Sequence, residues 1–202
     1  MSTEPGYFDV MGHLTGPLFL IVGIFLALTS VAAEDRNGKN ATTEGSRGLR
    51  KMVLNLSPRD ISIVPTQEHP RVWGVLMETG YQEGSVSLVA LLDGTVSLYF
   101  SEGGGIIGAG EYERVRKRAL KLVGVAENYV EDFSKTAEYP FPPQRAVKFY
   151  LLTFSGIFTA DANEDDLGEN RHKLSKLFYA AHDVITEIRL MQERGELPGL
   201  FQ

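Results

Sequence analysis

Apolar positions follow three rhythms along this chain: one unbroken run near the start, short runs bounded by turn residues in the middle, and two stretches that repeat every three or four residues. The short runs predict strands over Val72 to Thr79, Ser85 to Leu92 and Thr95 to Ser101. Asp93-Gly94 joins the second and third of these as a two-residue hairpin, because glycine supplies the positive φ such a turn needs. Val147 to Thr153 and Ile157 to Ala160 predict a further hairpin around Phe154-Ser155-Gly156.

The helical rhythm appears twice. From Glu111 to Phe133 the stripe is Val115, Ala119, Leu122, Ala126, Val130 and Phe133. From Arg171 to Gln192 it is Leu174, Leu177, Phe178, Ala181, Ile185, Ile188 and Met191. Between the first helix and the second hairpin, "AEYPFPPQ" stops the helix and carries the chain in extended form. The predicted fold is α+β: a five-stranded, mainly antiparallel sheet in βββαββα order with two amphipathic helices. Apolar residues fall on both sheet faces, Val86, Leu88, Ala90 and Leu92 on one and Val89 and Leu91 on the other. One face takes the two helices. The other needs a cover from the segment before Pro70, from a partner subunit, or from both. The arrangement is similar in architecture to the roadblock and profilin-like groups, a likeness that carries no function.

The unbroken run is Leu14 to Ala33, 20 residues without a charge. At ~1.5 Å per residue it matches the ~30 Å hydrocarbon core, which predicts a transmembrane helix over 14–33. Two rivals are a signal peptide cleaved near Ala33, after the small residues of "SVAA", and a buried core helix. Against the first stands a start with Glu4 and Asp9 and no Lys or Arg; against the second, the lack of a polar face. Arg36, Lys39, Arg47, Arg50 and Lys51 follow the run, so the positive-inside rule places the N-terminus outside and the C-terminal domain in the cytoplasm. The implied organisation is a short tail over 1–13, the span, a flexible linker over 34–48 and a globular domain over 49–202. Ser57-Pro58-Arg59-Asp60 predicts a short helical turn inside that domain.

Composition narrows the chemistry. The 202-residue chain has no cysteine, so disulfides, thiolate metal sites and thiol nucleophiles are excluded. Its net charge of -6 argues against wholesale nucleic-acid binding.

The most suggestive loop is "FSEGGGIIGAGEYERVRKR". Gly103, Gly105 and Gly108 match G-x-G-x-x-G between a strand and a helix. Three features oppose a dinucleotide site: the preceding strand belongs to an antiparallel hairpin, the position about 20 residues on lies inside a helix, and Glu111 and Glu113 occupy the helix start where a phosphate wants bare amides. The bland reading is that the glycines permit positive φ and close approach. Gly103, Gly104, Gly105, Ile106, Ile107, Gly108 and Gly110 then form a ligand or partner loop with an adaptable apolar tip. A P-loop is excluded, since no Gly-Lys-Ser or Gly-Lys-Thr follows.

Arg114, Lys117, Arg118 and Lys121 form a basic stripe on the first helix, at the end where the helix dipole disfavours it. Anionic lipid heads would offset that, and so would acidic residues of the second helix, such as Glu187 and Glu193. Asp161, Asn163 and Asp165 alternate like the start of a calcium loop, but Asp166 replaces its glycine and His172 its closing Glu. The histidines His13, His69, His172 and His182 lack ligand spacing, and no metal site, catalytic residue or cofactor is predicted.

The expected function is a single-pass, membrane-anchored, non-catalytic interaction or scaffolding domain facing the cytoplasm. Its partners are membrane lipid through 14–33 and a protein partner or a second copy, with no nucleic acid. The alternatives are an enzyme binding a small ligand or nucleotide at the 103–110 loop, and a secreted or periplasmic domain released near Ala33.

Overall fold

The computed structural model describes residues 36–197, with side chains from Glu44 onward. Within them the protein is α+β, but with a seven-stranded antiparallel sheet instead of five strands, and four α-helices instead of two. In chain order these are α1 (Arg36–Asn55), β1 (Val72–Tyr81), β2 (Gly84–Leu91), β3 (Val96–Phe100), β4 (Gly105–Ile107), α2 (Glu113–Ala126), β5 (Ser134–Lys135), β6 (Ala146–Thr153), β7 (Gly156–Asn163), α3 (Glu164–Gly168) and α4 (Ser175–Glu193). Short 3-10 helices flank α2 at Ala109–Glu111 and Glu127–Asp132. The sheet order is β4-β3-β2-β1-β6-β7-β5, so the longest strand lies at the centre and the two shortest close the edges. Short edges leave little unpaired backbone for another chain to extend.

Strict alternation explains the two buried faces. Val75 and Met77 sit beside Ala90 and Leu88 on β2 and Leu151 and Phe149 on β6. This face takes α2, which packs on β1, β2 and β3, and α4, which packs on α2. All six stripe residues of the first predicted helix are buried, and so are all seven of the second. The first stripe spans α2 and the following 3-10 turn, where the chain tightens before β5.

Leu76 points the other way, beside Val89 and Tyr150, and joins a cluster with Trp73, Leu91, Tyr99 and Leu152. The cover for this second face is α1: Val53 and Leu54 pack into the cluster, with Leu49, Leu56, Ile61 and Ile63 around them. The segment before Pro70 therefore supplies the cover, with no second chain required for it. Each fully buried aliphatic side chain contributes roughly 1.5–3 kcal/mol.

Two expectations are corrected here. The stretch 34–48, read as a flexible linker, is helical from Arg36 onward. The helix runs on to Asn55 and carries an inward stripe of Ser46, Leu49, Arg50, Val53 and Leu54 at helical spacing, of which only Ser46 falls within 34–48. The single-pass membrane placement is also overturned as a conclusion: among the described residues, no helix is long and apolar enough to cross a membrane. The run 14–33 lies outside the described residues. The sidedness drawn from its basic flank falls with it, because it rested on that span.

Two devices fix how the elements join. Glu127, at the end of α2, accepts the main-chain N–H groups of Arg71 at 3.0 Å and Val72 at 2.7 Å, and so ties the helix to the start of β1. Gly110 lies so close to the Asp93-Gly94 turn that an added Cβ would stand 1.7 Å from the Gly94 carbonyl oxygen. Gly45, by contrast, is a helical glycine with nothing within 4 Å of an added Cβ.

These surroundings predict opposite signs for one chemical change. Gly110→Ala lowers stability by about 1–3 kcal/mol through overpacking, whereas Gly45→Ala raises it by about 0.5–1 kcal/mol through helix propensity. Denaturant titration of both variants measures this. A Gly45→Ala protein no more stable than the parent would argue against a helix at that position.

Candidate functional site

The glycine segment is the first place to look, and the structure uses its glycines for folding. Gly103 donates its N–H to the Phe100 carbonyl at 3.0 Å, and Phe100 donates to that of Gly104 at 3.1 Å, which makes a tight hairpin between β3 and β4. Gly103, Gly104 and Gly105 have φ of 108°, 81° and 154°, values that side-chain-bearing residues rarely adopt. A Cβ on Gly105 would meet the Leu98 carbonyl oxygen at 2.5 Å, and Gly108 takes φ 77° before the 3-10 turn. The turn thus leads into an edge strand rather than directly into a helix. Ile106 is buried at 5% exposure, while Ile107 is half exposed at 50%. The loop presents one apolar side chain, and its N–H groups do not converge on a helix start.

The basic stripe resolves into pairs. Arg114 meets Glu187 at 3.4 Å and Glu196 at 2.5 Å, and Lys117 meets Glu113 at 2.7 Å. Arg118 and Lys121 share one carboxylate, Asp183, at 3.9 and 3.8 Å. At the opposite end Lys173 reaches Asp132 at 2.7 Å, so α2 and α4 run antiparallel. Acidic side chains of α4 therefore face the basic half of α2, although Glu193 pairs within its own helix, with Arg189. The calcium-like residues are likewise committed: Asp161 to Lys148, Asp165 to Arg145, and Asn163 to capping α3 through the N–H groups of Asp165 and Asp166.

Three polar features were not singled out in the sequence. The first is buried beneath α1. Arg50 grips Glu78 with both prongs, Nε to Oε1 at 2.7 Å and Nη2 to Oε2 at 2.8 Å. Ser87 donates to Oε1 at 2.9 Å, and the Arg50 guanidinium also donates to the Tyr139 carbonyl and lies 4.0 Å from the Phe141 ring centre. Burial works against the Arg50 charge, but its bond and proximity to Glu78 outweigh that and raise its pKa. Burial, aided by the Glu78 charge, raises the Tyr150 hydroxyl to about 12. A lone Glu inside the apolar strand "VWGVLMETGY" was the available signal.

The second is a pair of buried titrating groups. Glu164 is 4% exposed and stands against Tyr81, with Asp165 and Arg145 nearby. Burial, reinforced by the Asp165 charge, pushes its pKa up to about 7, while Tyr81 and Arg145 pull the other way. His182 lies on α4 with its ring 4.1 Å from that of Phe178, and burial pushes its pKa down to about 4.

The third is a groove on the outer side of the helix pair. Lys121, Val125, Asn128 and Tyr129 form one wall, and Lys176, Tyr179, Ala180 and Asp183 form the other, around a volume of about 470 Å³. The Tyr179 hydroxyl is fixed by donating to the Gly168 carbonyl at 2.7 Å. Asn128 donates from Nδ2 to the Val125 carbonyl at 3.2 Å. Lys121 belongs to the predicted basic stripe. Both tyrosines lie off the apolar stripes, so nothing in the sequence joined them before the helices were packed.

Glu164 and His182 act oppositely on stability. A carboxyl whose pKa is raised from 4.5 to about 7 binds its proton more tightly in the folded state, so its contribution is complete below pH ~4.5 and is lost as pH rises through 7. A histidine lowered from 6.5 to about 4 contributes fully above pH ~6.5 and loses that contribution as pH falls through 4. Between these limits the two slopes oppose each other. Glu164→Gln uncovers a steeper loss of stability on acidification from pH 6.5 to 4.5, and His182→Leu uncovers a steeper loss on raising pH over the same window. Each slope approaches about 1.4 kcal/mol per pH unit. Urea titrations across pH read both slopes; parallel profiles for parent and variants would contradict the burial of these groups.

No protein-family model matches the chain, and neither a curated protein nor a solved structure matches it.

Proposed function

We propose that this protein is a binding domain that acts without catalysis and receives a partner in the groove between α2 and α4. The observation that carries the reading is the lining itself: two tyrosine rings and an apolar floor of Val125 and Ala180, edged by charged and amide groups. Mixed linings of this kind, with few polar groups placed at the rim, are the usual character of sites that hold a ligand. At about 470 Å³ the groove falls within the size range of such sites.

The fold supports this use of the surface. Both sheet faces are occupied, one by α1 and the other by α2 and α4. The sheet edges are strands of three and two residues. The outward side of the helix pair is accessible, with ion pairs joining the two helices at both ends. A rigid helix pair with a groove along its seam is a familiar way to hold an extended or helical segment of another protein.

Selection of short random-sequence peptides on the full chain tests the reading. Enriched peptides are expected to bind Asn128→Trp, which fills the groove from an exposed position, at least about tenfold more weakly than the parent at unchanged thermal midpoint. Equal binding by that variant, or no enriched peptide, would overturn the assignment.

A further inference from the structure

We propose that the segment received by the α2/α4 groove is acidic, with carboxylates set against Lys176 and Lys121 and one aromatic or aliphatic side chain seated between Tyr129 and Tyr179. This rests on the groove being the docking surface.

Charge complementarity supports the choice. Lys176 and Lys121 are on opposite walls. Lys176 makes no ion pair among the described residues, in contrast to its neighbour Lys173, which is held by Asp132. Lys121 shares Asp183 with Arg118, both at the outer limit of ion-pair distance, 3.8 and 3.9 Å. Two cations therefore share one carboxylate, and Lys176 has none among the described residues. The nearby acids that would otherwise balance them are committed elsewhere, Asp132 to Lys173 and Glu131 to Arg71. Among the described residues exposed Arg47, Lys51, Arg59 and Lys135 also lack an ion pair, but none of them lines the groove, where the unpaired charge of Lys176 stands beside two tyrosines. With two lysines and one aspartate, the lining is net positive on a chain of net charge -6.

The rest of the lining favours a peptide over a bare anion. Lysines are point charges without the planar fork with which arginine grips phosphate, and no arginine lines the groove. Val125, Ala180 and the two tyrosine rings provide an apolar floor and walls that an inorganic ion leaves unused. The wall from Lys121 to Asn128 runs from α2 into the following 3-10 turn and measures roughly 11 Å at ~1.5–2 Å per residue. That accommodates about three residues of extended chain at ~3.3 Å each, enough for an apolar side chain between two acidic ones. Asn128, whose amide nitrogen is held by the Val125 carbonyl, keeps its side-chain oxygen as an acceptor for a peptide N–H.

Fluorescence anisotropy on the full chain tests the proposal with three labelled peptides: glutamates flanking a central phenylalanine, the same peptide with glutamine for glutamate, and the same with lysine. The acidic peptide is expected to bind about tenfold more tightly than its glutamine twin, with the advantage shrinking as salt rises. Lys176→Glu, an exposed change, is expected to remove that advantage and to favour the lysine peptide. Equal binding of the acidic and glutamine peptides, preference for the lysine peptide by the parent, or no binding of any of the three would overturn the acidic occupant. So would displacement of the acidic peptide by inorganic phosphate at millimolar concentration, which would point to a small anion. Peptides selected without acidic residues that nevertheless lose affinity on Asn128→Trp would leave the groove as a docking surface and remove only its charge preference.

Discussion

A sheet that is apolar on both faces requires two covers, and the buried bond between Arg50 and Glu78 determines how the second is placed. The two helices after the strands cover one side by ordinary stripe packing. The other side receives a helix that is mostly polar, and only Leu49, Val53 and Leu54 give it apolar grip in its last two turns. Glu78 has no exposure at all, so the interface under this helix contains a carboxyl group that needs a partner. A buried charge without a partner is strongly destabilising, whereas a bidentate guanidinium satisfies it at one rotation and one height along the helix. Because desolvation offsets most of the attraction in a buried pair, its geometric demand on where the helix sits matters more than the net energy it adds. Tyr139, Phe141 and Tyr150 close around the guanidinium, which draws the chain between β5 and β6 into the same contact.

The same logic separates structural charge from charge left for a partner. Most cations on this protein have a task inside the fold: Arg50 in the sheet interface, Arg71 joining α2 to β1, Arg114 and Lys173 fastening the two ends of the helix pair. The basic stripe of α2 thereby becomes mainly the counterpart of acids on α4. Lys176, the second residue of α4, makes no ion pair among the described residues and lines the groove together with Val125 and Ala180. Positive charge with no internal partner, next to aromatic surface, is a more specific indication of recognition than positive charge alone.

The sequence made the centre of the molecule legible and its margins obscure. Strands β1, β2, β3 and β6 could be read because β-branched and aromatic residues fill short runs between turn residues, and the Asp93-Gly94 hairpin has an unambiguous geometry. The stripes of α2 and α4 were complete. Helix α1 was hidden because its buried face includes Ser46 and Arg50, which carry no apolar rhythm, and because Gly45 and Gly48 interrupt it. Strand β4 was hidden inside a glycine run, where three residues give no periodicity. The groove could not be found from either helix alone: Tyr129 and Tyr179 are ordinary surface aromatics until antiparallel packing places them on facing walls. Glu78 was visible as a charge within an apolar strand, but its partner lies 28 residues away, just past the stretch read as a linker.

The chain has a single tryptophan, Trp73, and it lies in the cluster covered by α1 at 2% exposure. Its fluorescence therefore reports directly on whether that helix is seated. In the parent, Trp73 emission should be blue-shifted and protected from acrylamide. In Arg50→Met it should shift to the red and become open to quenching, while helix and strand content from circular dichroism remains largely intact. A parent protein whose tryptophan is already accessible, or an Arg50→Met variant with unchanged emission and protection, would contradict the claim that the Arg50–Glu78 bond holds the second cover in place.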